Sequence, residues 1–116
     1  MTTMQQNGDT RKIERLRELM KLRTETEKEH ANAVAAERKA EADYKYAEGN
    51  LREALAQINP REDVIFLSSH VYSLYSLAQD FDHKKQALNS ASETVDLYTS
   101  TLELYELDIK YELKNL

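Results

Sequence analysis

The second half of the chain carries an apolar residue at every seventh position from Leu67 to Leu116. The row consists of Leu67, Leu74, Phe81, Leu88, Val95, Leu102, Ile109 and Leu116. Neither Pro nor Gly interrupts it. A sustained seven-residue repeat predicts one long helix whose apolar seam packs lengthwise against other helices.

The strongest break in the helical pattern is at Asn59-Pro60. Pro60 has no N–H to donate and disfavours helical geometry at Asn59, so a first helix should end there. Asn59 is also a good N-cap, and the acidic Glu62 and Asp63 suit the first turn of a second helix. We predict a single domain over 1–116, with a flexible N-terminus at 1–8, helix 1 over about 10–58, a turn at 59–60 and helix 2 over about 60–116.

The distribution of charge indicates how the two helices pair. Helix 1 begins with a basic cluster, whereas the end of helix 2 is acidic. Folding at Asn59 would place the two clusters side by side, which favours an antiparallel helical hairpin over one kinked rod. The basic cluster comprises Arg11, Lys12, Arg15, Arg17, Lys21 and Arg23, and the acidic one Glu93, Asp96, Glu103, Glu106, Asp108 and Glu112.

A tight turn at Asn59 predicts an intrachain seam of residues whose numbers add to about 118. Tyr44 would then lie beside Leu74, and Leu16 beside Leu102. The predicted seam residues are Leu16, Tyr44, Leu51, Leu67, Leu74, Phe81 and Leu88. Helix 1 also supplies a row of small residues, Ala33, Ala40, Ala47 and Ala54, that would let the backbones approach closely. Its middle places Arg23, His30 and Glu37 on the seam, which leaves helix 2 poorly covered.

The last third of helix 2 has apolar residues on every face, and such a helix must be enclosed. The few apolar residues at the start of helix 1 can cover one side. We therefore expect this segment to be the oligomer or partner interface, formed by Val95, Leu97, Tyr98, Leu102, Leu104, Tyr105, Ile109, Tyr111, Leu113 and Leu116. A homo-oligomer, or another helical protein, would complete the hairpin to a bundle.

A three-helix bundle is the alternative fold. The run Ser90-Ala91-Ser92-Glu93 has the spacing of a capping box and could start a third helix after a break near Asn89-Ser90. The seven-residue row, which passes from Leu88 to Val95 without a phase slip, favours the hairpin.

Composition supports a long-helix protein. The 116 residues include 2 Gly, 1 Pro and no Cys, and 32% of them are charged. The lack of Cys excludes disulfides and thiolate chemistry. No apolar stretch is long enough to cross a membrane, and the N-terminus lacks the apolar centre of a secretory signal. We expect a cytoplasmic protein. Export by a route that needs no signal peptide is the alternative.

Candidate chemistry is sparse. Asp80, Asp82 and His83 are close in sequence but lack the spacing of a metal motif, so we predict no metal site, cofactor or catalytic residue. Glu25, Glu27 and Glu29 are typical of a solvated face, and His70 of a boundary position. His30 fits a seam position that fixes register or makes association depend on pH.

The basic cluster of helix 1 raises nucleic-acid or membrane-surface binding as further hypotheses. The acidic end of helix 2 can neutralise the cluster, and the net charge of the chain is −5. Phosphate binding needs an uncompensated positive surface, and the face opposite the basic residues has no Trp or Phe for a membrane. We expect neither partner, nor a small-molecule substrate.

Seven Tyr residues dominate the aromatic content. Tyr suits half-buried interfaces, since its ring packs while its hydroxyl stays hydrated. Tyr98, Tyr105 and Tyr111 lie in the predicted interface segment, and the others are Tyr44, Tyr46, Tyr72 and Tyr75.

These features predict a non-enzymatic assembly or protein-interaction module that self-associates or docks through helix 2. The plan of helix, Asn59-Pro60 turn and helix with an assembling C-terminal end resembles that of type III secretion needle subunits and, more loosely, flagellar export stalk proteins. That resemblance implies, as the alternative function, a small chaperone or a component of a secretion apparatus.

Overall fold

The computed structural model describes residues 2–58 and 64–116, with side chains at 8, 10–58 and 71–116. The described chain consists of two long helices, α1 (Thr2–Ala56) and α2 (Val64–Lys114), and these residues include no strand. The all-α helical hairpin predicted from the seven-residue row is confirmed.

The helix ends differ from the predicted ones. α1 begins at Thr2, ahead of the predicted start near residue 10, and the flexibility of 1–8 stays a prediction. α1 ends at Ala56, where Gln57 N–H donates to Glu53 O (3.2 Å) and Ile58 N–H to Leu55 O (3.2 Å). The predicted Asn59-Pro60 turn and its caps at 59–63 lie outside the described residues.

α2 is continuous through Asn89 and Ser90, so the three-helix alternative is wrong. The seven-residue row keeps its phase across this point, and Ala87, Leu88 and Ala91 are compatible with a helix interior. Two hydroxyls further along α2 are satisfied within the helix, since Thr99 Oγ1 donates to Val95 O and Thr101 Oγ1 to Leu97 O, each at 2.9 Å.

The chain forms two compact units, each containing a part of both helices. Unit 1 comprises Met1–Val34 and Thr94–Leu116, and unit 2 comprises Ala35–Glu93. In unit 1 the start of α1 lies beside the end of α2, because Arg15 Nε donates to Glu112 Oε1 at 2.9 Å and Lys12 Nζ to Asn115 O at 3.1 Å. This contact confirms that the basic start of helix 1 meets the acidic end of helix 2.

The pairing register differs from the predicted one. The numbers of contacting residues add to 127 for Arg15 and Glu112 and to 129 for His30 and Thr99, instead of about 118. In unit 2, Tyr44 stacks at a tilt on Phe81, with ring centroids 5.1 Å apart, and not on the predicted Leu74. The apolar rows of the two helices therefore face each other, but with a shift of about one heptad from the predicted register.

Each helix contains a series of buried and half-buried positions that alternate spacings of three and four residues, which is the pattern of a two-helix seam. On α1 they are Leu16, Leu19, Arg23, Thr26, His30, Ala33, Glu37, Ala40, Tyr44, Ala47, Leu51 and Ala54. On α2 they are Leu74, Leu77, Phe81, Lys84, Leu88, Ala91, Val95, Tyr98, Leu102, Tyr105, Ile109 and Glu112.

Small residues of α1 are among the most buried positions of this seam. In unit 2, Ala47 is 2% exposed and lies one turn from Tyr44, whose ring contacts Phe81; in unit 1, a register near 128 places Leu19 (7%) opposite Ile109 (6%). Ala33 is also buried, and Ala40 and Ala54 are half-buried. The predicted seam residues Leu16, Tyr44, Leu51, Leu74, Phe81 and Leu88 are all half-buried, and the side chain of Leu67 lies outside the described residues.

Enlarging the most buried alanine tests this close approach. Ala47→Leu should lower the free energy of unfolding by about 1–3 kcal/mol, because the added carbons have no free space at a position that is already almost fully buried. The exposed Ala42 provides the matched control, since Ala42→Leu on the same helix should change stability by less than about 0.5 kcal/mol. Urea denaturation followed by circular dichroism measures both. Equal effects of the two substitutions would show that Ala47 is not at a close contact.

Candidate protein-interaction surface

The outer face of α2 in unit 1 carries a second row of large apolar residues, which we call the outer row. It consists of Leu97, Leu104, Leu107 and Tyr111, whose exposed fractions lie between 61% and 66%. Leu97, Leu104 and Tyr111 are seven residues apart, and Leu107 fills the position between the last two. The outer row therefore has its own heptad spacing, separate from that of the seam.

The outer row lies almost opposite to the seam. Leu97, Leu104 and Tyr111 each follow a seam residue (Val95, Leu102 and Ile109) by two positions. At about 100° per residue, a step of two positions turns the side chain by about 200°. α1 can therefore cover one of the two rows on α2 and cannot cover the other.

The predicted interface residues divide between these two faces. Val95, Tyr98, Leu102 and Tyr105 are half-buried along the seam. Ile109 is buried there, and its assignment to a partner interface stays a prediction. Leu97, Leu104, Tyr111, Leu113 and Leu116 are exposed.

Leu107 belongs to the outer row but is not among the residues predicted for the interface. The available signal was its spacing, three residues after Leu104 and four before Tyr111. That spacing places all three side chains on one helix face.

The middle of the seam in unit 1 is polar on the α1 side. Thr99 Oγ1 donates its hydrogen to Val95 O, so it accepts from His30 Nε2–H at 3.1 Å. Thr26 is buried. The Nε of Arg23 is shielded from solvent, lies 3.4 Å from Glu27 Oε1, and makes no hydrogen bond with a described residue. These groups make the seam specific in register but weaken it as a hydrophobic core.

A shallow groove of about 400 Å³ opens beside the seam in unit 1. Glu29, Asn32, Ala33, Thr94 and Tyr98 line it. The small side chain of Ala33 leaves this space next to the Tyr98 ring. The groove is wide open to solvent and brings a single carboxylate to its lining, which gives no constellation for acid–base or metal chemistry.

The other candidate chemical groups lie apart on exposed helix surface. Across the described residues, no three His, Cys, Asp or Glu side chains come together as a metal-binding group. Asp80, Asp82 and His83 are all exposed, and Asp82 Oδ2 accepts from Gln86 Nε2 at 3.1 Å. Glu25, Glu27 and Glu29 are exposed as well, and the side chain of His70 lies outside the described residues.

Unit 2 has a smaller exposed cluster on α2, formed by Val71, Tyr72 and Tyr75. Tyr75 follows Val71 by four residues and Tyr72 by three, so the three side chains share a face. Over residues 71–116, where α2 side chains are described, this cluster covers about one helical turn, which makes it a suitable control surface.

No protein-family model, curated protein or solved structure matches this chain. Neither helix, over the residues described, contains a stretch long and apolar enough to span a bilayer. The evidence about function therefore comes from the surface of the hairpin itself.

Proposed function

We propose that this chain is a non-enzymatic assembly module that self-associates by burying the outer row of α2 against a helix of a second copy. The main support is the outer row (Leu97, Leu104, Leu107 and Tyr111), which has heptad spacing and lies on the face that α1 leaves exposed. A contiguous apolar stripe of this kind on a soluble helix marks an interaction surface.

The thin core of the hairpin supports the same proposal. Among the described residues, Leu19 and Ile109 are the large apolar side chains that are buried, joined by Ala33 and Ala47. A further helix on the outer row would bury additional apolar surface. Each Å² of apolar surface removed from water stabilises the assembly by about 25 cal/mol. Association would thus add stability that one hairpin lacks.

Placing charge in the outer row tests the proposal. The double variant Leu104→Lys/Leu107→Lys should weaken self-association by roughly 100-fold. The substitutions replace two central apolar side chains, and an ammonium group would have to be buried at each position. Sedimentation equilibrium over a concentration series measures the dissociation constant, and circular dichroism at low concentration checks that the helices persist.

The matched control is Val71→Lys/Tyr72→Lys, which makes the same kind of change at positions of unit 2 that are at least as exposed. This variant should associate like the unmodified chain. If the unmodified chain stays monomeric and cooperatively folded at every concentration, self-association is wrong, and a different protein remains as the occupant of the outer row. If the control weakens association and the outer-row variant does not, the interface lies on the aromatic cluster of unit 2.

The secretion-apparatus alternative receives no separate support. Its resemblance depends in part on the Asn59-Pro60 turn, which lies outside the described residues. The basic start of α1 likewise gives little support to nucleic-acid binding, since Arg15 is paired with Glu112.

A further inference from the structure

We propose that the second copy packs its own outer row antiparallel on this one, about a two-fold axis that crosses α2 between residues 105 and 106. The inference rests on the proposed self-association and specifies its geometry. It follows from the size and charge of the residues on and beside the outer row.

Side-chain size favours this register. In an antiparallel helix pair, the a positions of one heptad frame lie opposite the d positions of the other. The outer row supplies Leu97, Leu104 and Tyr111 at one position and Ser100 and Leu107 at the other. With the axis between residues 105 and 106, Leu104 lies opposite Leu107 of the second copy, and Tyr111 lies opposite the small Ser100.

The hairpin itself keeps small residues in its seam. Ala33 and Ala47 are both buried there. A small residue at such a position lets two helices approach closely, and Ser100 offers one opposite Tyr111 on the outer face.

Charge favours the same register. Glu103 and Lys110 flank the outer row on one side, both are exposed, and neither forms an ion pair with a described residue. In the antiparallel pair Glu103 of each copy lies beside Lys110 of the other. The two-fold axis produces this pairing twice, and no like charges meet beside the row.

Other arrangements bring like charges together. A parallel pair would place Glu103 beside Asp108 of the second copy, again twice. Sliding the antiparallel pair by one heptad in one direction would pair Asp96 with Lys110 twice but would place Glu103 against itself, and sliding it in the other would place Lys110 against itself. The proposed register avoids all three repulsions.

Charge reversal tests the geometry directly. Glu103→Lys and Lys110→Glu should each weaken homodimerisation by roughly tenfold, because each creates two repulsive pairs. The double variant Glu103→Lys/Lys110→Glu should recover the original affinity. An equimolar mixture of the two single variants should form a heterodimer with two opposite-charge pairs. All these differences should shrink at about 1 M salt, where the Debye length is roughly 3 Å.

A distance measurement separates antiparallel from parallel packing. The chain has no Cys, so Asp96→Cys provides one labelling site per copy at an exposed position. In the proposed dimer the two labelled positions are separated by about 29 Å along the helix axis, at 1.5 Å per residue. A parallel pair brings them to roughly 10 Å, the distance between packed helices. Double electron–electron resonance on spin labels distinguishes the two.

The outcomes distinguish the geometry from the proposed function. If Glu103→Lys strengthens association and the labels are close, the packing is parallel and this inference is wrong, while self-association stands. If the unmodified chain associates and neither charge reversal changes its affinity, the register is wrong. If the unmodified chain does not associate at all, the proposed function fails and the geometry fails with it.

Discussion

Ile109→Ala should lower the free energy of unfolding of the hairpin by about 2–5 kcal/mol, which is the cost of removing a buried Ile and leaving a cavity. Ile109 is one of the most buried large side chains in the described chain, and the register places Leu19 opposite it. Few other large side chains are buried, so the loss should be a large share of total stability. Urea denaturation followed by helical circular dichroism measures it, at one protein concentration because association adds stability by mass action.

The matched control for Ile109→Ala is Leu113→Ala, one helical turn further along α2. Leu113 is more than half exposed, so its truncation should lower the free energy of unfolding by no more than about 0.5 kcal/mol. If both substitutions have the same effect, then Ile109 does not lie in the seam. A large effect of Leu113→Ala that disappears on dilution would instead identify Leu113 as part of an association contact.

The seven-residue row predicted the fold well because it depends on helix geometry alone. Leu74, Phe81, Leu88, Val95 and Leu102 occupy the seam, since a repeat of seven keeps them on one helix face wherever the partner helix starts. The register was not predictable in the same way. It depends on how the two helices are set against each other, and a shift of one heptad brings Tyr44 from Leu74 to Phe81 without changing any pattern within either helix.

The sequence predicted which segment of α2 forms the candidate surface, but not which face of the helix. The end of α2 is apolar on all sides, so the sequence alone indicated that α1 could not cover it. Which residues α1 covers depends on the rotation of α2 about its axis. That rotation buries Ile109 and leaves Leu104 and Leu107 exposed, although all three are large and aliphatic.

The polar residues of the seam give unit 1 a physical reason to associate. His30, Thr26 and Arg23 occupy positions that apolar residues could fill, and the hydrogen bond between His30 and Thr99 contributes less than apolar burial would. They restrict the register of α1 on α2 at some loss of stability. Burial of the outer row on the opposite side of α2 would add stability at the level of the chain where the seam is polar. The proposed association would thus offset the stability that the polar seam residues cost.

Asn89→Pro should lower the free energy of unfolding by about 3 kcal/mol or more, because α2 runs unbroken through this position. Pro cannot donate to the carbonyl of residue 85, and its ring clashes with that turn of the helix. Asn89 is exposed, so Asn89→Ala is a clean control and should leave stability unchanged or slightly raised. Denaturation of both variants measures the difference. A chain with a break at Asn89-Ser90 would accept Pro there at a cost below about 1 kcal/mol, and that result would contradict a single α2 helix and with it the continuous seam on which the outer row is defined.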